Sequence, residues 1–358
     1  MKRLLMILLL ALLLTASVSA TEDIGIDTDI LEDGLSEEAG ELMPDIAPTE
    51  QGSFWESAKR VFFSAFSKTG QTLKSGLRLC AMLIAISALC AIAELTPAGK
   101  HGGTITAAGA LGISAAVVGT FQAMISLAVG TVEEIANYSG CLLPVMASAT
   151  AMSGGFTTST ALYAGTVLFV ELLLQLISKL LVPAVYVFLA VSAAEAALSS
   201  DTLSEVRAFI GWLISKSLRI LLYLFLAYMS VTGVISGAAD AAAVKATKAA
   251  VSGMIPVVGS IISDASETLL ASASLLKSSA GVFGMIAVLA ICLLPFLRVG
   301  IQYLLLKVTA AVSGTVAHKS HVRLLKNCST AMGYLLAMCG TSGLLLLISS
   351  VCFMKVVA

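Results

Sequence analysis

The apolar positions of this chain gather into long runs instead of the narrow stripes of a soluble domain. Eight runs predict membrane-crossing helices, at about 77–95, 105–130, 157–178, 180–198, 218–237, 280–297, 299–317 and 331–353. Most are near the ~20 residues a helix needs to cross ~30 Å of hydrocarbon. Lipid cannot satisfy free backbone N–H and C=O groups, and no alternating strand pattern is present, so helices are the spanning form expected. In the second run Ala108, Gly112, Ala115 and Gly119 recur at helical spacing, which lets a neighbouring helix approach closely.

Ahead of these runs the pattern changes three times. Residues 1–20 read as a secretory signal: Lys2 and Arg3, then the apolar Leu4 to Leu14, then Val18-Ser19-Ala20 as a small-residue cleavage site, with an uncleaved anchor as the plainer alternative. Residues 21–52 form a tail whose Thr21–Glu50 portion has eleven Asp or Glu and no Lys or Arg, a composition expected to stay flexible outside the cytoplasm. Residues 53–76 combine Phe54, Trp55, Phe62, Phe63 and Phe66 with Lys59 and Arg60, which predicts an amphipathic helix lying in the membrane interface or packed on the protein itself.

Composition sharpens the class. Of 358 residues, 58% are hydrophobic and only 12% charged, whereas soluble domains are about a quarter charged. The chain reads as an all-α polytopic membrane protein. Its basic cluster His318–Lys326 is placed in the cytoplasm by the positive-inside tendency. Counting spans from there puts both chain ends outside, with Lys100 and the Lys245/Lys248 loop inside and the Glu133/Glu134 loop outside. Lys59, Arg60, Lys68, Lys74 and Arg78 conflict with that count, since they precede the first run on the outer side.

The region between runs carries a second pattern. Ser139-Gly140-Cys141-Leu142-Leu143-Pro144-Val145 resembles Ser252-Gly253-Met254-Ile255-Pro256-Val257, the two prolines lying 112 residues apart. Leu181-Val182-Pro183 and Leu293-Leu294-Pro295 repeat at the same separation of 112 residues. The chain therefore reads as residues 77–130, holding the first two spans, followed by two copies of a half-span plus three spans, at 131–237 and 238–353. An odd number of crossings between copies predicts an inverted repeat, the arrangement in which secondary transporters place broken helices around a midplane site. Candidate half-span residues are Ser139, Gly140, Pro144, Ser252, Gly253, Pro256, Gly259 and Asp264. Surface helices with ordinary Gly and Pro ends are the plainer reading of the same stretches.

Ionisable groups inside the runs are the other candidates, since a charge at the bilayer centre costs at least ~2.5–3.5 kcal/mol and usually faces a cavity or a partner. Glu171 lies deepest, with Gln175 one turn on; Arg298, Gln302 and Lys307 form a near-helical polar stripe, and a Glu171 pairing to Arg298 or Lys307 would join them. A structural ion pair or a snorkelling Lys307 accounts for the same residues. Glu94, Lys179, Glu195, Lys216 and Arg219 fall near run ends, where interfacial charge is ordinary. The seven cysteines sit mostly in apolar runs without metal-ligand spacing and read as small packing residues. His318 and His321 lie in the basic loop and are expected to be solvated. No P-loop, H-E-x-x-H or G-x-S-x-G is present, so neither catalysis nor a cofactor is expected, and no basic module suggests nucleic acid.

The segment Ala246-Thr247-Lys248-Ala249-Ala250-Val251-Ser252-Gly253-Met254-Ile255-Pro256-Val257-Val258-Gly259, followed by Ser263-Asp264-Ala265, resembles the stage III sporulation protein AE family of endospore-forming bacteria. The resemblance extends over nearly the whole chain. It implies a multi-pass protein of the mother-cell membrane that engulfs the forespore. It also implies partners: other membrane proteins of the stage III operon, including ring-forming and ATPase-like subunits, and stage II sporulation protein Q. Together these would form a channel or feeding apparatus. The family supplies no catalytic residue to carry over, and it leaves open whether this member is an export-gate-like conduit or a scaffold for the rings. A self-contained secondary transporter of a small solute or ion is the alternative from the residues alone.

Overall fold

A computed structural model describes residues 29–43, 54–94, 102–152, 156–198, 200–231 and 279–357. The signal-like residues 1–20 and the second Ser-Gly/Pro-Val stretch, with Ser252, Gly253, Pro256, Gly259 and Asp264, lie outside the described residues.

Among the described residues the chain is helical and contains no strand. Two short helices come first, α1 (Asp29–Asp33) and α2 (Glu37–Gly40), then α3 (Phe54–Ser67) and α4 (Gly70–Glu94). Helix α5 (Gly102–Met152) has 51 residues. Helices α6 (Phe156–Leu176) and α7 (Val182–Leu198) are joined without a break by a π-helical turn, Ile177–Leu181. Helices α8 (Asp201–Val231), α9 (Ser279–Ser313) and α10 (Lys319–Val357) complete the bundle.

Six helices are long and apolar enough to cross a membrane, where the sequence pattern suggested eight. The difference has one cause. Runs 157–178 and 180–198 are one continuous helix, and so are 280–297 and most of 299–317, as far as Ser313, because Lys179, Pro183, Pro295 and Arg298 do not end the helices they sit in. Proline is tolerated inside spans where neighbouring helices and local readjustment satisfy the freed carbonyl. Pro144 likewise lies inside α5, so Ser139–Pro144 is the far part of a long helix and not a separate half-span.

Helix α10 is the axis of the bundle: 83% of its most apolar stretch is inside, against 61% for α9 and 28% for α4 and α5. Close approaches fix the rest. A Cβ on Gly211 would meet Tyr334 of α10 at 2.5 Å, and one on Gly343 would meet Cys292 at 2.6 Å. Phe188 and Tyr334 meet edge to face at 5.4 Å, a geometry favoured by the ring quadrupoles. Thr166 and Ser349 share a buried 2.6 Å hydrogen bond. Four cysteines (Cys80, Cys328, Cys339 and Cys352) are buried, and none of the seven is in a disulfide.

The contacts also give direction. Thr106, Glu195, Arg207 and His321 gather at one end, which carries the basic cluster, while Leu142 against Gly284 and Thr166 against Ser349 mark the other. Helices α6–α7 and α9, which correspond under the 112-residue offset, therefore run the same way, and the reversal expected of an inverted repeat is not present between them. Helix α8 ends and α9 begins at the far end, on either side of the segment holding Lys245 and Lys248.

The outer face of α5 changes character along its length. Leu111 and Val118 are exposed, as lipid would require, but beyond Phe121 the exposed positions include Gln122, Ser126, Glu133 and Asn137. The first 20 residues of an α-helix rise about 30 Å, one hydrocarbon thickness. Beyond that level the acidic segment is folded on the bundle: Leu31 and Leu42 are fully buried, Ser36 caps α2 and also donates to Glu134, and Glu38 pairs with Arg298 at 2.7 Å.

Glu41 meets Lys68 at 2.5 Å, and this hydrogen-bonded cation holds its carboxyl below the ordinary carboxylate range. A depressed acid contributes stability above its unfolded-state pKa and loses it as pH falls through the folded value. Amide exchange of residues 29–43, corrected for intrinsic rate, should accordingly be faster at pH 4 than at pH 7, and Glu41→Gln should abolish the Glu41 part of that difference.

Candidate functional site

Among the described residues, the end that carries the basic cluster holds the most concentrated buried polar chemistry. Glu195, three residues before the end of α7, is 1% exposed. Arg207, from the second turn of α8, donates through Nε to its Oε2 at 2.7 Å, and Arg323, from the first turns of α10, brings its Nε to 3.3 Å from Oε1. One carboxylate thus ties three helices. Its neighbours are also arranged: Ser204 accepts from Arg207 Nη2 at 3.3 Å. A lone carboxylate buried at this depth would be costly, and two guanidinium groups that keep 21% and 43% of their surface exposed supply the compensation.

Beside this triad lies His321, fully buried, with Nε2 2.9 Å from the carbonyl oxygen of Thr106. The Thr106 hydroxyl donates to Glu94 at 2.8 Å. Helix α5 can approach because residue 109 is glycine: a Cβ there would lie 2.5 Å from His321 Cε1 and 2.6 Å from Cys90 Sγ. The expectation of a solvated histidine is corrected here, since the apolar flank of α10 carries His321 inward while His318 stays exposed in the turn. No group of three metal-ligating side chains occurs among the described residues.

The predicted polar residues are distributed differently. Glu171 and Gln175 are exposed on the outer face of α6 and bond each other at 2.9 Å. Arg298 is taken by Glu38 of the acidic segment, so the expected pairing with Glu171 is not formed. Lys307 is exposed and reaches back to Tyr303, at 3.2 Å from its hydroxyl and 5.4 Å from its ring centroid. Gln302 is buried, with Nε2 3.5 Å from the Thr72 carbonyl. Ser139 is buried and bonds the Ala136 carbonyl at 2.6 Å, while Gly140 and Pro144 face outward. Sequence reasoning missed the role of Glu195, whose signal was a carboxylate placed at the same end as two arginines.

Comparison with known proteins adds the identity of the group. The family model for stage III sporulation protein AE matches residues 41–356. The chain belongs to that family. A curated relative, stage III sporulation protein AE of Bacillus subtilis (strain 168), is 23% identical over 308 residues, covering 83% of this chain and 76% of the relative. No solved structure matches at a significant level. The AE family assignment, with six span-length apolar helices, makes this a sporulation protein with the features of a multi-pass membrane protein.

Proposed function

We propose that this AE-family chain is a non-enzymatic membrane subunit of a channel or feeding apparatus between mother cell and forespore, acting as the rigid seat on which other stage III operon proteins assemble. It would reside in the mother-cell membrane that engulfs the forespore. The family match across residues 41–356 carries the reading. The packing supports a seat over a conduit through one chain: the axis of the bundle is occupied by α10 and filled with Leu335, Met338, Leu345 and Ile348, all fully buried. Any path for cargo would run between chains or between this chain and its partners.

The ring-forming subunits, the ATPase-like subunit and stage II sporulation protein Q are the proposed company. Affinity purification of a tagged chain from sporulating cells should recover the stage III partners, and a fluorescent fusion should trace the engulfing membrane. Solute uptake by the purified chain alone in proteoliposomes, lost in Glu171→Gln, would overturn the seat and favour a self-contained transporter.

A further inference from the structure

The corner between α3 and α4 combines two features that the assembly reading leaves unused. Helix α3 buries Ser57, Val61 and Ala65 against the bundle but leaves Trp55, Phe62, Phe63 and Phe66 exposed, Phe63 at 69%. Rings of this size rarely face water, and here they share the helix with exposed Lys59 and Arg60. Lys74 and Arg78 continue the cationic edge down the first turns of α4; both are exposed and neither has an ion-pair partner among the described residues. Residues 54–78 contain five Lys or Arg and one acid, Glu56.

Depth identifies the surroundings of this edge. Lys68 at the corner bonds Glu41, and Glu38 of the same segment bonds Arg298. About 22 Å of α9 separates Arg298 from Ser313 at the basic end. The outer face of α5 turns polar about 30 Å from that same end. Both rulers put the corner near the far boundary of a ~30 Å hydrocarbon slab, where aromatic side chains and Lys or Arg collect at headgroup level.

We propose that this edge is a binding surface for anionic phospholipid, with the α3 rings seated at the headgroup–acyl boundary and Lys59, Arg60, Lys74 and Arg78 receiving headgroup phosphates. The assignment gives a reason for the cations that conflict with the positive-inside count: they are held at the outer interface by lipid charge. The acidic segment lies next to the edge yet engages only Lys68 of its cations among the described residues, leaving the others for a negative ligand. Glu37 and Glu38 of the segment are exposed beside the same corner, and Glu38 is held by Arg298 at 2.7 Å.

Trp55 reports on this surface once Trp212, the other tryptophan in the chain, is removed. The full chain carrying Trp212→Phe would be reconstituted in phosphatidylcholine bilayers holding a minor fraction of either brominated phosphatidylcholine or brominated phosphatidylglycerol. Quenching by the neutral lipid tests whether α3 lies at the bilayer at all. Quenching by the anionic lipid should exceed it about two-fold or more, and the excess should vanish in Lys59→Gln/Arg60→Gln/Lys74→Gln/Arg78→Gln while neutral-lipid quenching stays. Replacing the lysines by arginine should keep the excess. Equal quenching by both lipids would overturn the proposal, as would loss of the excess on adding inorganic phosphate, which marks a plain anion site. Absence of quenching by either lipid would overturn it and assign the rings to a protein partner. These outcomes are separate from failure of the assembly reading, which partner recovery tests.

Discussion

Arg207→Ala is expected to lower the stability of the purified chain in detergent by about 3 kcal/mol, the scale observed when one partner of a buried ion pair is removed. The reason lies in the asymmetry of the cluster. Glu195 is 1% exposed and cannot reach water, whereas Arg207 and Arg323 keep 21% and 43% of their side-chain surface exposed. Removing Arg207 leaves the carboxylate with Arg323 alone, at 3.3 Å. Glu195→Gln, which leaves two partly hydrated cations, should cost less than Arg207→Ala. The double variant Arg207→Ala/Glu195→Gln should be more stable than Arg207→Ala alone, so that the cycle shows a coupling well outside additivity. Thermal unfolding of the four proteins in one detergent measures this; an additive cycle would mean that the triad does not join α7, α8 and α10.

Gly109→Ala should be the other severe change, costing about 1–3 kcal/mol through overpacking. The added methyl meets two fully or partly enclosed groups at once, His321 and Cys90, at 2.5–2.6 Å. Neither can withdraw easily, because His321 is fully buried and tied to the Thr106 carbonyl. Combining Gly109→Ala with His321→Ala should recover part of the loss. Accumulation in membranes and the unfolding midpoint of the single and double variants check the prediction; an unchanged midpoint for Gly109→Ala would show that α4, α5 and α10 are not held together at this point.

The helical class was legible because nothing but helix accommodates runs such as Ser279–Ser313 in lipid. The segment Ala246–Ala265 was equally informative about family, although it is outside the described residues. Helix number was less legible. Lys179 with Pro183, and Pro295 with Arg298, look like the punctuation between two spans, yet a π turn and the packing of α10 carry both helices through. The polar candidates Glu171 and Arg298 stand out by depth within an apolar run, and depth along one helix does not say which way a side chain points. Glu195 is hard to single out for the converse reason. It sits near a helix end, where charge is cheap, and only the return of α8 and α10 to the same end encloses it.

The π turn at Ile177–Leu181 has a mechanical meaning of its own. It accommodates one residue more than an α-helical turn would, so it acts as a phase adjuster within a single rod. The outward stripe of α6, with Glu171 and Gln175, and the outward stripe of α7, with Tyr186 and Val187, are set independently of each other. Deleting one residue there would restore a uniform helix while leaving the faces after it nearly where they are, because a five-residue π turn and a four-residue α turn advance the chain by almost the same angle. Glu195 would keep its place against both arginines, whereas a deletion in the regular turns of α7 would carry it away by about 100°. The clamp at the basic end is therefore insulated from a surplus residue placed some twenty ångströms along the rod, about 1.5 Å for each residue between.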